Sequence, residues 1–173
     1  MKTDGRQEAP IVLRIQCVGG GEEQVMAKAV IDASGTWSTP NPLGANGLPA
    51  LGEALGAVHI FYGIPDVLGN DRARYSGKRV VVVGSGHFAF NALLELATLA
   101  DLVPSTEITW AVRRKQVGQL FGGEQNDSLP ERGGLGSRTR ELVDSGAVRY
   151  TSLRIAEVRR TAGGLLLIGE DGE

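Results

Sequence analysis

The chain has little of several things that commonly indicate function. The chain of 173 residues has one cysteine, which excludes an internal disulfide and a CxxC dithiol, and two histidines. They also leave few ligands for a transition metal, so we expect no metal site. Eighteen basic residues stand against twenty acidic ones, a balance that argues against a broad surface for nucleic acid or membranes. No apolar run approaches membrane-spanning length and the first residues do not resemble a signal peptide, which predicts a cytoplasmic protein.

What is present is typical of a globular protein. Apolar residues make up 42% of the chain and charged residues 22%, and glycine is abundant at 25 positions. The single cysteine, Cys17, lies in an alternating stretch in which Ile11, Leu13 and Ile15 share its face of a predicted strand. We therefore expect a buried thiol that packs in a core.

One stretch has the pattern of a nucleotide-binding turn. Four consecutive valines, Val80 to Val83, predict a strand buried on both faces, as in a parallel sheet. A helix is predicted from Phe88 to Leu99, because its polar residues recur at intervals of four and three. The turn between the two has the sequence GxGxxA, and its candidate cofactor-binding residues are Gly84, Ser85, Gly86, His87, Phe88 and Ala89.

The order of strand, glycine turn and helix suits a dinucleotide. Gly84 permits the tight turn, Gly86 lets the backbone approach a pyrophosphate, and Ala89 lets the helix pack against the strand. The unpaired N–H groups of the first helical turn face the phosphates. His87 either hydrogen-bonds a phosphate or the nicotinamide ribose, or it caps the helix. The alternative for the whole turn is a junction between a core strand and a core helix without a ligand.

The residues after the next predicted strand indicate which dinucleotide. This strand spans Glu107 to Val112, and an NAD-selective site would place an acidic residue at its end. The chain instead has Arg113, Arg114 and Lys115. Because guanidinium groups bind phosphate bidentately, we predict that NADP(H) is the ligand, with Arg113 and Arg114 on the 2′-phosphate. The alternative is that these cations only solvate a strand end.

The remaining segments complete a predicted α/β fold: a Rossmann-like parallel sheet with helices, plus an antiparallel β-hairpin and a β-meander. We expect boundaries at 1–50 for the hairpin with its returning strand, 51–76 for a linker, and 77–173 for the nucleotide-binding domain. The other predicted elements are strands at Ile11–Val18 and Val25–Ala33, a loop from Phe121 to Gly136, a helix at Arg138–Ser145 capped by Gly146, and three antiparallel strands near Val148–Ser152, Arg154–Arg160 and Leu165–Gly169.

The stretch Val30-Ile31-Asp32-Ala33-Ser34-Gly35-Thr36 resembles the strand-ending ATG motif of flavoproteins with two dinucleotide-binding domains, such as flavin-containing monooxygenases and thioredoxin-reductase-like enzymes. The resemblance implies an NADPH-binding domain inserted into an FAD domain, and hydride transfer from NADPH to FAD. Ser34 and Thr36 would face the flavin or serve only the turn. The resemblance covers only the middle of such an enzyme. We therefore expect FAD in the complete enzyme and not on this chain alone. The stretch that begins Phe61-Tyr62-Gly63 resembles the FxGxxxHxxxW-type linker of the monooxygenases in its first residues, but Val67 and Asp71 stand where the histidine and tryptophan of that linker belong.

The resemblance also implies a partner. The apolar face of the predicted hairpin and Trp37 would border the FAD domain, so we expect the missing FAD-binding segment or a second copy in a homodimer to cover them. Two other functions stay open: a non-enzymatic NADP-sensing module, and a degenerate Rossmann-like domain kept for interaction. In the predicted loop, Asp127 and Arg132 either contact the cofactor or a partner domain, or are solvated.

Overall fold

The computed structural model describes residues 9–19, 21–31, 40–113, 121 and 130–172, with only the backbone described at 16 and 130–133. The chain forms two compact units, Met1–Trp37 and Ser38–Glu173. The described residues form a mixed α/β structure with one parallel sheet and two antiparallel hairpins. Its elements are β1 (Ile11–Gln16), β2 (Glu22–Ala27), a 3-10 helix (Ala54–His59), α1 (Arg72–Tyr75), β3 (Arg79–Val83), α2 (His87–Leu102), β4 (Glu107–Val112), α3 (Pro130–Asp144), β5 (Arg149–Ser152), β6 (Ile155–Thr161) and β7 (Gly164–Gly169).

The first unit contains the antiparallel hairpin of β1 and β2, as predicted. Pairing runs from Ile11 opposite Ala27 to Gln16 opposite Glu22, so β2 ends well before the predicted limit at Ala33. The prediction of a buried Cys17 is wrong, because its thiol is exposed. Cys17 follows the last residue of β1 and its N–H donates to the Gly21 carbonyl at 2.7 Å, so it belongs to the turn and not to the pleated face.

The parallel sheet of the second unit has the order β3-β4-β5. β4 has the predicted bounds, and its register places Val83 opposite Ala111. Trp110, at the centre of this strand, is completely buried. The prediction that the valines of β3 are buried on both faces is wrong, because Val81 is 44% exposed. Within the described residues β3 is also an edge strand, since it pairs with β4 alone.

Helices α2 and α3 pack together, and α2 contributes much of the core. Leu93, Leu96 and Leu99 of α2 are almost fully buried in one cluster with Trp110. The helix α3 begins at Pro130, so the predicted loop through Gly136 is wrong at its C-terminal end. The predicted cap is confirmed, because Gly146 has φ +79 and its N–H donates to the carbonyl of Val143 at 3.1 Å.

The C-terminal strands differ from the predicted meander. β5 pairs parallel with β4, Tyr150 opposite Trp110, because the chain returns through α3 before it re-enters the sheet. Of the three C-terminal strands that the structure describes, β6 and β7 alone form an antiparallel hairpin. Leu51 bridges to Glu157 of β6 and so ties the preceding loop to this hairpin. Among the described helices, none combines the length and apolar character needed to cross a bilayer.

Candidate functional site

The glycine turn after β3 is fixed by the neighbouring strand β4. The Gly84 N–H donates to the Ala111 carbonyl at 3.0 Å, and the Gly84 carbonyl accepts the indole N–H of Trp110 at 2.6 Å. Gly84 has φ +110, a conformation that side-chain-bearing residues rarely adopt. The turn is therefore held from strand β4 by one backbone and one side-chain hydrogen bond.

Gly86 is the N-cap of α2, with φ −88 and ψ 175. No side chain caps this helix and its first turn holds no acidic residue. The Phe90 N–H donates to the Gly86 carbonyl at 3.2 Å, so the N–H groups before Phe90 precede the helical hydrogen-bonding pattern. A Cβ added to Gly84 or Gly86 would meet no atom within 4 Å, which shows open space beside the turn.

The other predicted turn residues divide into exposed and packed ones. Ser85, His87 and Phe88 are exposed on the open side of the turn. The His87 carbonyl accepts the side-chain amide of Asn91 at 2.9 Å. Ala89 is buried, where a small side chain lets α2 approach the sheet.

Arg113 lies at the same edge of the sheet as the glycine turn. It directly follows β4, and the carboxyl ends of parallel strands share an edge. Its side chain is exposed, and one guanidinium N–H donates to the Ala45 carbonyl at 2.9 Å. Arg114, the second predicted phosphate ligand, lies outside the described residues.

The loop that holds Arg113 is itself organised by a buried carboxylate. Glu53 is 7% exposed and accepts the Leu43 N–H at 3.1 and 3.2 Å and the Ala50 N–H at 2.7 Å. The Tyr62 hydroxyl donates a short hydrogen bond to the same carboxylate. Partial burial, followed by the Glu53 hydrogen bond and charge, raises the pKa of the Tyr62 phenol above its ordinary value.

Sequence reasoning missed this arrangement. Its partners are far apart in the chain, with Ala45 and Arg113 separated by 68 positions. The group that binds Arg113 is moreover a backbone carbonyl, which every residue carries. Of the signals in the sequence, only an acidic residue inside an otherwise apolar segment pointed to Glu53.

The remaining candidate residues are not brought to this site by any described contact. Ser34, Thr36 and Asp127 lie outside the described residues, as does most of the ATG-like stretch. Arg132 lies in α3, where only its backbone is described, and not in the predicted loop. Within the described ranges, no three His, Cys, Asp or Glu side chains cluster as ligands of one metal ion would.

Chemically, the carboxyl edge of this sheet offers anion-binding groups at two neighbouring positions. The first is the uncapped N-terminus of α2, where backbone N–H groups and the helix dipole favour negative charge. The second is the guanidinium of Arg113. Comparisons of the sequence with models of known protein families and with curated proteins find no match.

Proposed function

We propose that this chain binds NADPH at the carboxyl edge of its parallel sheet, in a Rossmann-like unit made of β3, α2 and β4. The observation that carries the proposal is one arrangement: an open glycine turn leads into an uncapped helix, and Arg113 follows the adjacent parallel strand. In this assignment the pyrophosphate lies on residues 84–89 and the 2′-phosphate on Arg113, with Arg114 as a further expected ligand.

The residues fit such a ligand on two grounds. First, the space beside Gly84 and Gly86 is open, so a phosphate oxygen can approach the backbone where a Cβ would otherwise project. Second, a guanidinium has five N–H donors, and the hydrogen bond to Ala45 uses one of those on Arg113. The planar group therefore retains donors for a phosphate while its orientation is fixed.

The roles of the chain's own residues are binding and orientation. The N–H groups at the start of α2 neutralise pyrophosphate charge, and Arg113 selects the phosphorylated ribose over the free one. When bound, NADPH supplies a hydride donor. From the ATG-like resemblance we further propose that the acceptor is FAD in a flavoprotein oxidoreductase, with an FAD-binding segment as the partner.

The test is a calorimetric titration of the chain with NADPH and with NADH. We expect tighter binding of NADPH, because a charge-assisted hydrogen bond to phosphate contributes about 1.5 to 3 kcal/mol. Arg113→Ala should remove most of this difference and leave NADH binding unchanged. Arg79→Ala is the matched control, because Arg79 is an exposed arginine at the opposite end of the same sheet.

Two results would contradict the proposal. Equal affinity of the parent chain for both nucleotides would remove the NADP assignment. An equal loss of preference in Arg79→Ala and Arg113→Ala would show that overall positive charge, and not a site at the carboxyl edge, attracts the phosphate.

A further inference from the structure

We infer that Glu53 is a positioning residue that sets the selectivity of the chain for a 2′-phosphate, by holding the loop whose carbonyl orients Arg113. This inference rests on the proposed function, because it concerns the same nucleotide site. Glu53 does not contact that site in any described hydrogen bond. It acts through the loop 43–50.

One carboxylate holds both ends of this loop. Leu43 at one end and Ala50 at the other donate their backbone N–H groups to Glu53. A buried carboxylate must be surrounded by donors, and here backbone groups provide them together with Tyr62. The two ends of the loop are thereby kept together at a fixed distance from Glu53.

The middle of the loop connects two other parts of the second unit. Ala45 is 5% exposed, its N–H donates to the Ile155 carbonyl of β6 at 2.9 Å, and its carbonyl accepts the Arg113 guanidinium at 2.9 Å. A displacement of this residue would therefore move the acceptor of Arg113. Its anchor at Ile155 fixes one side, and Glu53 fixes the loop on which it lies.

The hydrogen bond to Ala45 also reduces the conformational entropy that Arg113 loses when a ligand binds. An exposed arginine samples many rotamers, and ordering it on a ligand costs free energy. A guanidinium already held by a backbone acceptor loses less freedom when phosphate binds. Glu53 thus contributes to NADPH affinity and leaves NADH affinity nearly unchanged, because NADH has no 2′-phosphate for Arg113 to bind.

The experiment compares Glu53→Gln with the parent chain. The glutamine has nearly the same shape but carries no charge and has one acceptor oxygen. If its amide N–H₂ faces the Ala50 N–H, a donor meets a donor. If its carbonyl faces that N–H instead, the loop hydrogen bonds lose their charge and the Tyr62 hydroxyl must turn to accept. We expect the ratio of NADPH to NADH affinity to fall by about tenfold, the equivalent of one charge-assisted hydrogen bond. Glu95→Gln is the matched control, because Glu95 also accepts a backbone N–H, that of Val67 at 3.2 Å, at a place without a described bond to the loop.

A merely structural role would lower stability without changing this ratio. The same samples are therefore followed by NMR through the Arg113 guanidinium Nη–H groups, because Nη1 donates to the Ala45 carbonyl. Their exchange with water should accelerate in Glu53→Gln and not in Glu95→Gln. In an Arg113→Ala background, Glu53→Gln should no longer change the affinity ratio. If Glu53→Gln does not fold, Tyr62→Phe removes one donor to the same carboxylate and should show both effects at smaller size.

The outcomes separate this inference from the proposed function. An unchanged Arg113 signal in Glu53→Gln, or in Tyr62→Phe if that variant is used, overturns the inference even when the parent prefers NADPH. An unchanged affinity ratio in a parent that prefers NADPH also overturns it. If instead the parent binds both nucleotides equally while Arg113 is released in the variant, Glu53 does position Arg113 and the NADP assignment is wrong.

Discussion

Trp110 connects the hydrophobic core to the glycine turn through one side chain. Its ring packs against Phe90, Phe121 and Tyr150, with centroids 5.8, 5.7 and 5.8 Å away. Its indole N–H reaches the Gly84 carbonyl. A fully buried tryptophan needs a partner for that N–H, and here the partner is the turn that we assign to the pyrophosphate. Core packing and the conformation of the site therefore depend on the same residue.

Replacing Trp110 with phenylalanine tests this dependence. We expect a loss of about 2 to 4 kcal/mol in the free energy of unfolding, from the smaller ring and from the unpaired Gly84 carbonyl. NADPH affinity should also fall, because the turn loses one of its two described hydrogen bonds to β4. Urea unfolding and calorimetric titration measure the two effects.

The matched control is Phe90→Leu, which also removes aromatic volume beside Trp110 but no hydrogen bond. It should lower stability and leave NADPH affinity of the folded protein unchanged. Equal losses of affinity in both variants would mean that general core packing, and not the indole hydrogen bond, maintains the turn.

At the scale of elements, local patterns predicted what local interactions determine. The apolar alternation of Glu107–Val112 predicted the observed bounds of β4. The spacing of polar residues predicted α2 to within a few residues of its observed ends. The positions of the glycine turn and of Arg113 could be predicted because Gly84 directly follows β3 and Arg113 directly follows β4. The orientation of β5 could not, since a strand of four residues carries no signal for parallel or antiparallel pairing.

The start of α3 was missed for a different reason. Three glycines, at 133, 134 and 136, have low helix propensity and favoured a loop. In the structure a side chain on Gly136 would collide with the Phe121 carbonyl, so the helix uses this glycine for close packing. The tertiary contact at Gly136 here outweighs helix propensity. Pro130 is the first residue of α3, a position at which helices accept proline well.

The N-terminus of α2 provides a prediction in which ligand binding weakens without a loss of stability. Gly86 has the extended backbone of an ordinary N-cap, so serine fits there without strain and supplies the missing side-chain cap. We expect Gly86→Ser to leave the free energy of unfolding unchanged or to raise it by a few tenths of a kcal/mol, since glycine is only slightly inferior as a cap. The new hydroxymethyl group would project into the open space assigned to the pyrophosphate and weaken NADPH binding.

Gly84→Ala is the contrasting variant at the same turn. Its added Cβ also meets no atom, but φ +110 is strained for alanine, so stability should fall by about 1 to 2 kcal/mol. Thermal unfolding and nucleotide titration of both variants provide the test. Undiminished NADPH affinity in Gly86→Ser would show that no ligand approaches the backbone at this position.

Across the whole molecule, buried side chains are distributed unevenly. The described side chains of the first unit, which do not include that of Gln16, are all exposed or half-buried, among them the apolar Val12 and Met26 of its hairpin. The second unit contains both clusters of buried apolar residues, one around Trp110 and one around Ile155 and Val158. Burial of apolar area is the main source of folding free energy, so the two units should differ in stability.

Hydrogen exchange tests this difference directly. We expect the amides of β4 and α2 to exchange only through global unfolding, with about 5 kcal/mol or more of protection. A two-stranded hairpin without buried side chains is marginally stable, so the paired amides of β1 and β2 should exchange on the order of 10- to 100-fold more slowly than an unfolded chain at most. The experiment is run at several protein concentrations, because a homodimer that covered Val12 and Met26 would raise hairpin protection with concentration. Protection of β1 and β2 equal to that of β4 at every concentration would contradict the expected difference in stability. A rise of β1 and β2 protection with protein concentration would identify a second copy as the partner of the apolar hairpin.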